Sequence, residues 1–238
     1  MSIAAEPAAT RTRPAAAQLW AFLPYAALSI VHVIALAVDN DALAAPTKLF
    51  LMPLLALAVL WTARGTGWGL PVALLLVAIA FSWLGDGAAT FFPFAPTLAM
   101  MLACFGLAHV CYIILFTRTL ALGRLPIWSA VYAVWWVALL VILAPALLAD
   151  EGGIGWLIAI GAYGILLGAT AAAAARSTPA VALGGALFLA SDSILAFRLF
   201  MPEATPHWTS PAVMLTYCAG QGFIAAGAIV LLRAKAAR

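Results

Sequence analysis

Residues 184–198 read GGALFLASDSILAFR, a helix-length apolar run with one carboxylate, Asp192, set in its middle. A carboxyl facing hydrocarbon is costly, so such a residue turns toward a bundle interior or a cavity and marks a functional site. A second carboxylate, Asp86, sits near the end of another apolar run, residues 77–87, VAIAFSWLGDG. The spacing predicts that the two acids meet inside a bundle of transmembrane helices and carry out acid/base chemistry together. Structural readings stand beside this one. Asp192 also suits a structural acid paired with Tyr217 or Gln221, and Gly85-Asp86-Gly87 also suits a helix-end cap.

Composition sets the class. Of 238 residues, 67% are apolar and 8% charged, against about a quarter charged in an ordinary soluble domain. A soluble enzyme is excluded, because so few charges cannot cover a wet surface. Cys104, Cys111 and Cys218 lie in apolar runs and form no CxxC pair, which argues for small buried hydrophobes.

Eight apolar segments are predicted, at 19–38, 48–63, 69–91, 97–117, 126–148, 154–175, 179–200 and 211–232. Most reach the roughly 20 residues that cross about 30 Å of hydrocarbon. The second is short, contains Pro53, and spans only if Lys48 snorkels toward the headgroups or the bilayer thins locally. Residues 1–18 read as a cytoplasmic tail, 19–232 as the transmembrane domain and 233–238 as a second cytoplasmic tail. A cleaved signal peptide ending near Asp41-Ala-Leu-Ala-Ala45 is the rival reading, but the apolar stretch 19–38 exceeds the usual core of one. With both termini inside, nine of the eleven basic residues fall on the cytoplasmic side, leaving Lys48 and Arg198 outside. The positive-inside rule asks for this asymmetry. The predicted fold is therefore all-α and polytopic, with eight transmembrane helices, in the cell (inner) membrane.

Polar residues inside the layer gather in one half of it. Counting 1.5 Å per residue from the predicted outer ends puts Asp86 at roughly 8 Å, Asp192 at roughly 12 Å and Tyr217 at roughly 9 Å. His32, His109, Gln221 and Lys48 fall in the same half, which suggests a cavity open toward the outer face. Phe105, His109 and Tyr112 share a helix face, as do Tyr217 and Gln221, and Ser82 and Asp86. His32 and Lys48 carry bland alternatives, a satisfied core histidine and a snorkelling anchor; His207 falls in an outer loop and is expected to be solvated. Small residues such as Gly161, Gly164, Gly168, Gly184 and Gly185 signal close helix packing. No zinc-protease, nucleophile-elbow, Walker or dinucleotide pattern is present. Neither a metal nor a cofactor is expected, and no basic aromatic surface suggests a nucleic-acid partner.

Taken together, Lys48, Leu84-Gly85-Asp86, Phe105-Gly-Leu-Ala-His109-Val-Cys-Tyr112, Gly185 to Ala196 with Ser191-Asp192 at its centre, and Tyr217-Cys-Ala-Gly220-Gln221 resemble the YhhN family, which includes the animal lysoplasmalogenases. The resemblance spans roughly residues 20 to 232. It implies an eight-helix membrane enzyme that hydrolyses the vinyl ether bond of lysoplasmalogens, releasing a fatty aldehyde and a glycerophospho-headgroup. It implies catalytic roles for Asp86 and Asp192. Substrate-binding or supporting roles then fall to His109, Tyr112, Tyr217, Gln221, Lys48, His32 and Ser191. The family's basic residue on the second helix is often followed directly by proline, whereas here Leu49 follows Lys48 and the proline comes at position 53.

Vinyl ether hydrolysis needs a proton delivered to carbon and a water activated against the resulting oxocarbenium-like centre. Paired carboxyls, one protonated and one ionised, suit it. Asp192, the deeper, is expected to be the acid and Asp86 the base; the expected partner is a lysophospholipid or other amphiphilic lipid within the bilayer. The alternative class is a proton-coupled transporter or non-enzymatic carrier, since embedded Asp, His and Tyr also build proton relays.

Overall fold

Helix starts are set by local chemistry that the sequence carries. Thr178 accepts the amide of Val181 on its side chain while Pro179 occupies the first helical position, the usual way to open a helix without wasting donors. Asn40 does the same for the second helix, its Oδ1 lying 3.1 Å from the Leu43 amide. The computed structural model describes residues 15–64, 68–149 and 151–237. Most of the predicted tail 1–18 lies outside the described residues.

After a 3-10 turn at Ala15–Phe22 come α1 (Leu23–Ala37), α2 (Asp41–Thr62), α3 (Leu70–Asp86), the single turn α4 (Ala88–Phe91), α5 (Thr97–Arg118), α6 (Val131–Ala149), α7 (Gly153–Ala174), α8 (Pro179–Phe200) and α9 (Thr209–Ala236). The protein is an all-α, polytopic membrane protein. Among the described residues seven helical stretches are long and apolar enough to cross a membrane, the first being α1 with the 3-10 residues before it (Leu19–Ala37), and α3, at 17 residues, is shorter.

Two expectations are corrected here. The second segment does not begin at Lys48: α2 runs 22 residues from Asp41, through Pro46 and Pro53. Its start is fixed by the Asn40 cap rather than by the onset of apolar residues, so Lys48 sits two turns inside the helix. The third segment does not continue to residue 91. It stops at Asp86, where Gly87 ends the helix and α4 restarts the chain. At the other end, helical conformation extends past 232 to Ala236.

Seven helices close into a ring in the order α1, α2, α3, α5, α7, α8, α9 and back to α1, with α6 outside it against α7. α6 shows the difference in its burial. Only Leu139, Leu143 and Leu147 are buried, whereas Val134, Val141 and Ile142 are exposed apolar residues. An apolar surface of this kind suits lipid. The tightest seam joins α8 to α9. A Cβ on Gly184 would stand 2.7 Å from the Gly220 carbonyl oxygen, and one on Gly220 would stand 2.9 Å from the Phe188 nitrogen. Only glycine permits that approach. Gly164 and Gly185 likewise receive Trp136 and the Ala171–Ala174 stretch of α7. The deep tryptophans tie helices together through their indole N–H groups: Trp83 donates to the Leu49 carbonyl, Trp135 to Ser193 and Trp136 to the Gly161 carbonyl.

Candidate functional site

Across the ring, α3 and α9 meet through two matched pairs, each one helical turn apart. The Tyr217 hydroxyl donates to Asp86 Oδ2 at 2.7 Å, and the Gln221 amide donates to Ser82 Oγ at 3.0 Å. Tyr112 on α5 completes the set by donating to Gln221 Oε1 at 2.5 Å. The faces read from periodicity are therefore real, and they interlock. Gly85, just before Asp86, leaves room for the Phe105 ring; a Cβ there would lie 2.6 Å from it. Lys48 reaches in from α2, its Nζ 3.8 Å from Asp86 Oδ1, with the lysine side chain 38% exposed and the carboxylate 4%. Lys48 thus faces a carboxylate while part of its side chain stays exposed.

Asp192 has different partners. Tyr217 and Gln221, the partners its structural reading names, bond instead to Asp86 and to Ser82 and Tyr112. The Tyr163 hydroxyl on α7 donates to Asp192 Oδ2. His109 Nε2 lies 3.2 Å from the same hydroxyl oxygen and 3.8 Å from Asp192 Oδ2. The other imidazole nitrogen, Nδ1, lies 3.1 Å from Thr170 Oγ1. Thr170 gives its own proton to the Leu166 carbonyl at 2.8 Å, so it accepts from Nδ1–H. That leaves Nε2 turned toward Tyr163, the arrangement in which a second contact fixes which nitrogen works. A phenol shared between a carboxyl and an imidazole can pass a proton either way.

Phe188, fully buried, lies within ring-contact distance of Phe105, His109, Tyr112 and Tyr217. It packs against rings from both carboxylate corners, His109 on one side and Tyr217 on the other. Ser191 donates to the Val213 carbonyl at 3.0 Å, so its hydroxyl braces α8 against α9.

Both carboxylates open onto one cavity of about 580 Å³, lined among others by His32, Lys48, Ser191, Arg198, Ser210 and Tyr217. A second, narrower cavity of about 50 Å³ runs between α5, α6, α7 and α8, and its lining is apolar except for Tyr163 and Asp192. The two share Met101, Phe105, Asp192, Leu195 and Leu199. Asp192 therefore stands where a polar chamber meets an apolar crevice. His109, Tyr112 and Gln221 are buried behind these walls and brace the residues in front of them.

Tyr163 and Thr170 escaped the reading of the chain. The available signal was their seven-residue spacing, which puts both on one face of α7, but the nearby glycines drew attention to packing alone. Among the described residues no group of three or more His, Cys, Asp or Glu side chains has metal-binding geometry. His207, expected to be solvated, is exposed, and its Nε2 sits 2.5 Å from Asp39 Oδ1, joining the loop after α1 to the one before α9.

Residues 43–228 match the model of the YhhN family. The chain belongs to that family. No curated protein and no solved structure matches it. The matched stretch carries both carboxylates, Lys48, Tyr163, Tyr217 and His109, and leaves only His32 of the chamber residues named above outside it. Family membership supports lipid handling in general as the setting of this site.

Proposed function

We propose that the protein is a lysolipid ether hydrolase of the lysoplasmalogenase type, cleaving a vinyl ether bond by the paired action of Asp192 and Asp86. The observation that carries the reading is the junction at Asp192. A charged headgroup suits the chamber, the apolar side of Asp192 suits the first carbons of an alkenyl chain whose tail runs on into lipid, and the bond between them then lies beside a carboxyl group.

The chemistry closes with one water consumed. Asp192 delivers its proton to the β-carbon of the vinyl ether, leaving an oxocarbenium-like centre at the α-carbon. Asp86, which accepts from Tyr217 and faces the Lys48 ammonium, surroundings that favour an ionised carboxylate, stabilises that centre and takes a proton from water as its oxygen bonds to carbon. The hemiacetal then collapses. Asp86 returns its proton to the ether oxygen and Asp192 takes the hemiacetal hydroxyl proton. The products are an aldehyde and the glycerophospho-alcohol, and both acids regain their starting states. Tyr163, donating to Asp192 Oδ2 with His109 behind it, orients the Asp192 carboxyl.

The reading includes eight spans with both termini cytoplasmic, in the cell membrane. At 1.5 Å per residue α3 is about 25 Å long, enough to span if the bilayer thins slightly, and the basic residues keep their asymmetry only if it does. The test is purified protein in maltoside detergent with a lysoplasmalogen, scored for aldehyde. Turnover without a membrane gradient supports the proposal. Gradient-dependent movement of an unchanged solute, with no aldehyde, replaces the enzyme by a transporter.

A further inference from the structure

His32 is one of the chamber residues that the chemistry above leaves idle. Its ring is 1% exposed and lines the chamber. Nδ1 lies 2.9 Å from Thr47 Oγ1. That hydroxyl is spent on the Leu43 and Ala44 carbonyls, at 2.6 and 3.0 Å, so the oxygen accepts and the Nδ1–H donates. The remaining nitrogen, Nε2, is then a lone-pair acceptor. It is buried and has no hydrogen-bond partner among the described residues. A buried acceptor left unmatched costs stability, and native proteins keep few of them without a reason.

Arg198 lines the same chamber. Its Nη1 donates to Thr209 Oγ1 at 2.6 Å, and among the described residues no carboxylate lies within ion-pair distance of it. Lys48, by contrast, already faces Asp86. The chamber thus offers one unmatched acceptor and one guanidinium without a counter-charge. Arginine in that state suits a phosphate, which it meets with two parallel N–H groups.

We propose that His32 reads a free hydroxyl on the ligand by accepting its proton at Nε2, while Arg198 holds the phosphate beside it. The ligand class is a phosphoester carrying a neighbouring unesterified hydroxyl, and His32 is the residue that rejects the same molecule with that hydroxyl missing or capped. This rests on the lysolipid reading above but concerns binding rather than bond cleavage.

The experiment uses full-length protein in maltoside and two saturated ether lipids that carry no vinyl ether to be hydrolysed. One is 1-O-alkyl-2-lyso-glycerophosphocholine; the other is its 2-deoxy analogue, in which hydrogen replaces the hydroxyl. Affinities are measured by calorimetry. The native protein is expected to prefer the hydroxyl form by about 5- to 100-fold, the span for leaving a buried polar group unpaired. His32→Phe brings the ratio to about one, and His32→Gln, which keeps an acceptor, restores part of it. Arg198→Gln weakens both ligands by a similar factor and leaves the ratio unchanged.

Native protein that binds both ligands within twofold of each other overturns the role of His32 and leaves the lysolipid reading intact, with no variant needed. Native protein that binds neither overturns the lysolipid reading and this inference with it. A preference that survives in folded His32→Phe assigns hydroxyl recognition elsewhere and likewise overturns the proposal.

Discussion

The two carboxylate corners share a chamber yet are built on different principles. Asp86 faces a charge, the Lys48 ammonium, and one phenol, and is backed by the Ser82–Gln221–Tyr112 chain. Asp192 shares its phenol with an imidazole, and its side chain is 12% exposed against 4% for Asp86. The first corner fixes a carboxylate in a bed of donors. The second leaves a proton somewhere to go. On the proposed reading, these surroundings suit two acids of the same kind to opposite roles, as one-proton chemistry on a paired site requires.

The sharpest way to break that contrast is to remove each carboxylate in turn. Asp192→Asn and Asp86→Asn are each expected to lower aldehyde release by about a hundred- to ten-thousand-fold, measured with lysoplasmalogen at saturating substrate. Their pH profiles then separate the roles. A group that works ionised makes the rate fall as pH drops, so residual activity in Asp86→Asn loses that acid limb. A group that works protonated makes the rate fall as pH rises, so Asp192→Asn loses the alkaline limb. Limbs lost the other way round reverse the assignment.

The phenols give a smaller and more pointed comparison. Tyr163→Phe keeps the ring and removes the hydroxyl between Asp192 and His109; kcat is expected to fall about 10- to 100-fold, within the cost of leaving buried polar partners unsatisfied. Tyr217→Phe removes one donor from Asp86 but leaves Lys48, and a loss of about tenfold or less is expected. Equal losses would mean that the corners are equivalent after all. Gln221→Leu acts on the Asp86 side alone. It leaves Ser82 and Tyr112 without their partner, for an expected loss of about 1–3 kcal/mol read by thermal unfolding, with the Tyr163–His109 side unaffected. Smallest of all, His207→Ala removes an exposed pair with Asp39, and stability should change by no more than about 1 kcal/mol.

Much of this was visible along the chain. Fifteen residues around Asp192 declared a membrane protein with an acid in its core, because hydrocarbon tolerates few charges and each one must have a use. The i, i+4 pairs Ser82/Asp86 and Tyr217/Gln221 were legible because the α-helix repeats every 3.6 residues whatever surrounds it. Helix ends were less legible. Apolar onset put the start of α2 at residue 48, but a side-chain cap at Asn40 and a helix tolerant of Pro46 moved it to 41. Hydropathy also ran α3 through to residue 91, where Gly87 stops it after Asp86.

What the amino-acid sequence decided by itself is therefore the solvent, the helical class and the residues that share a face, all consequences of local geometry and of the cost of charge in hydrocarbon. Which face meets which was decided only in three dimensions. The glycine seam of α8 and α9, the Phe188 wedge and the closing of the ring rotated Tyr217 toward Asp86 and brought Tyr163 to Asp192. Those orientations are set by packing between segments distant in the chain, and no periodicity within one helix contains them.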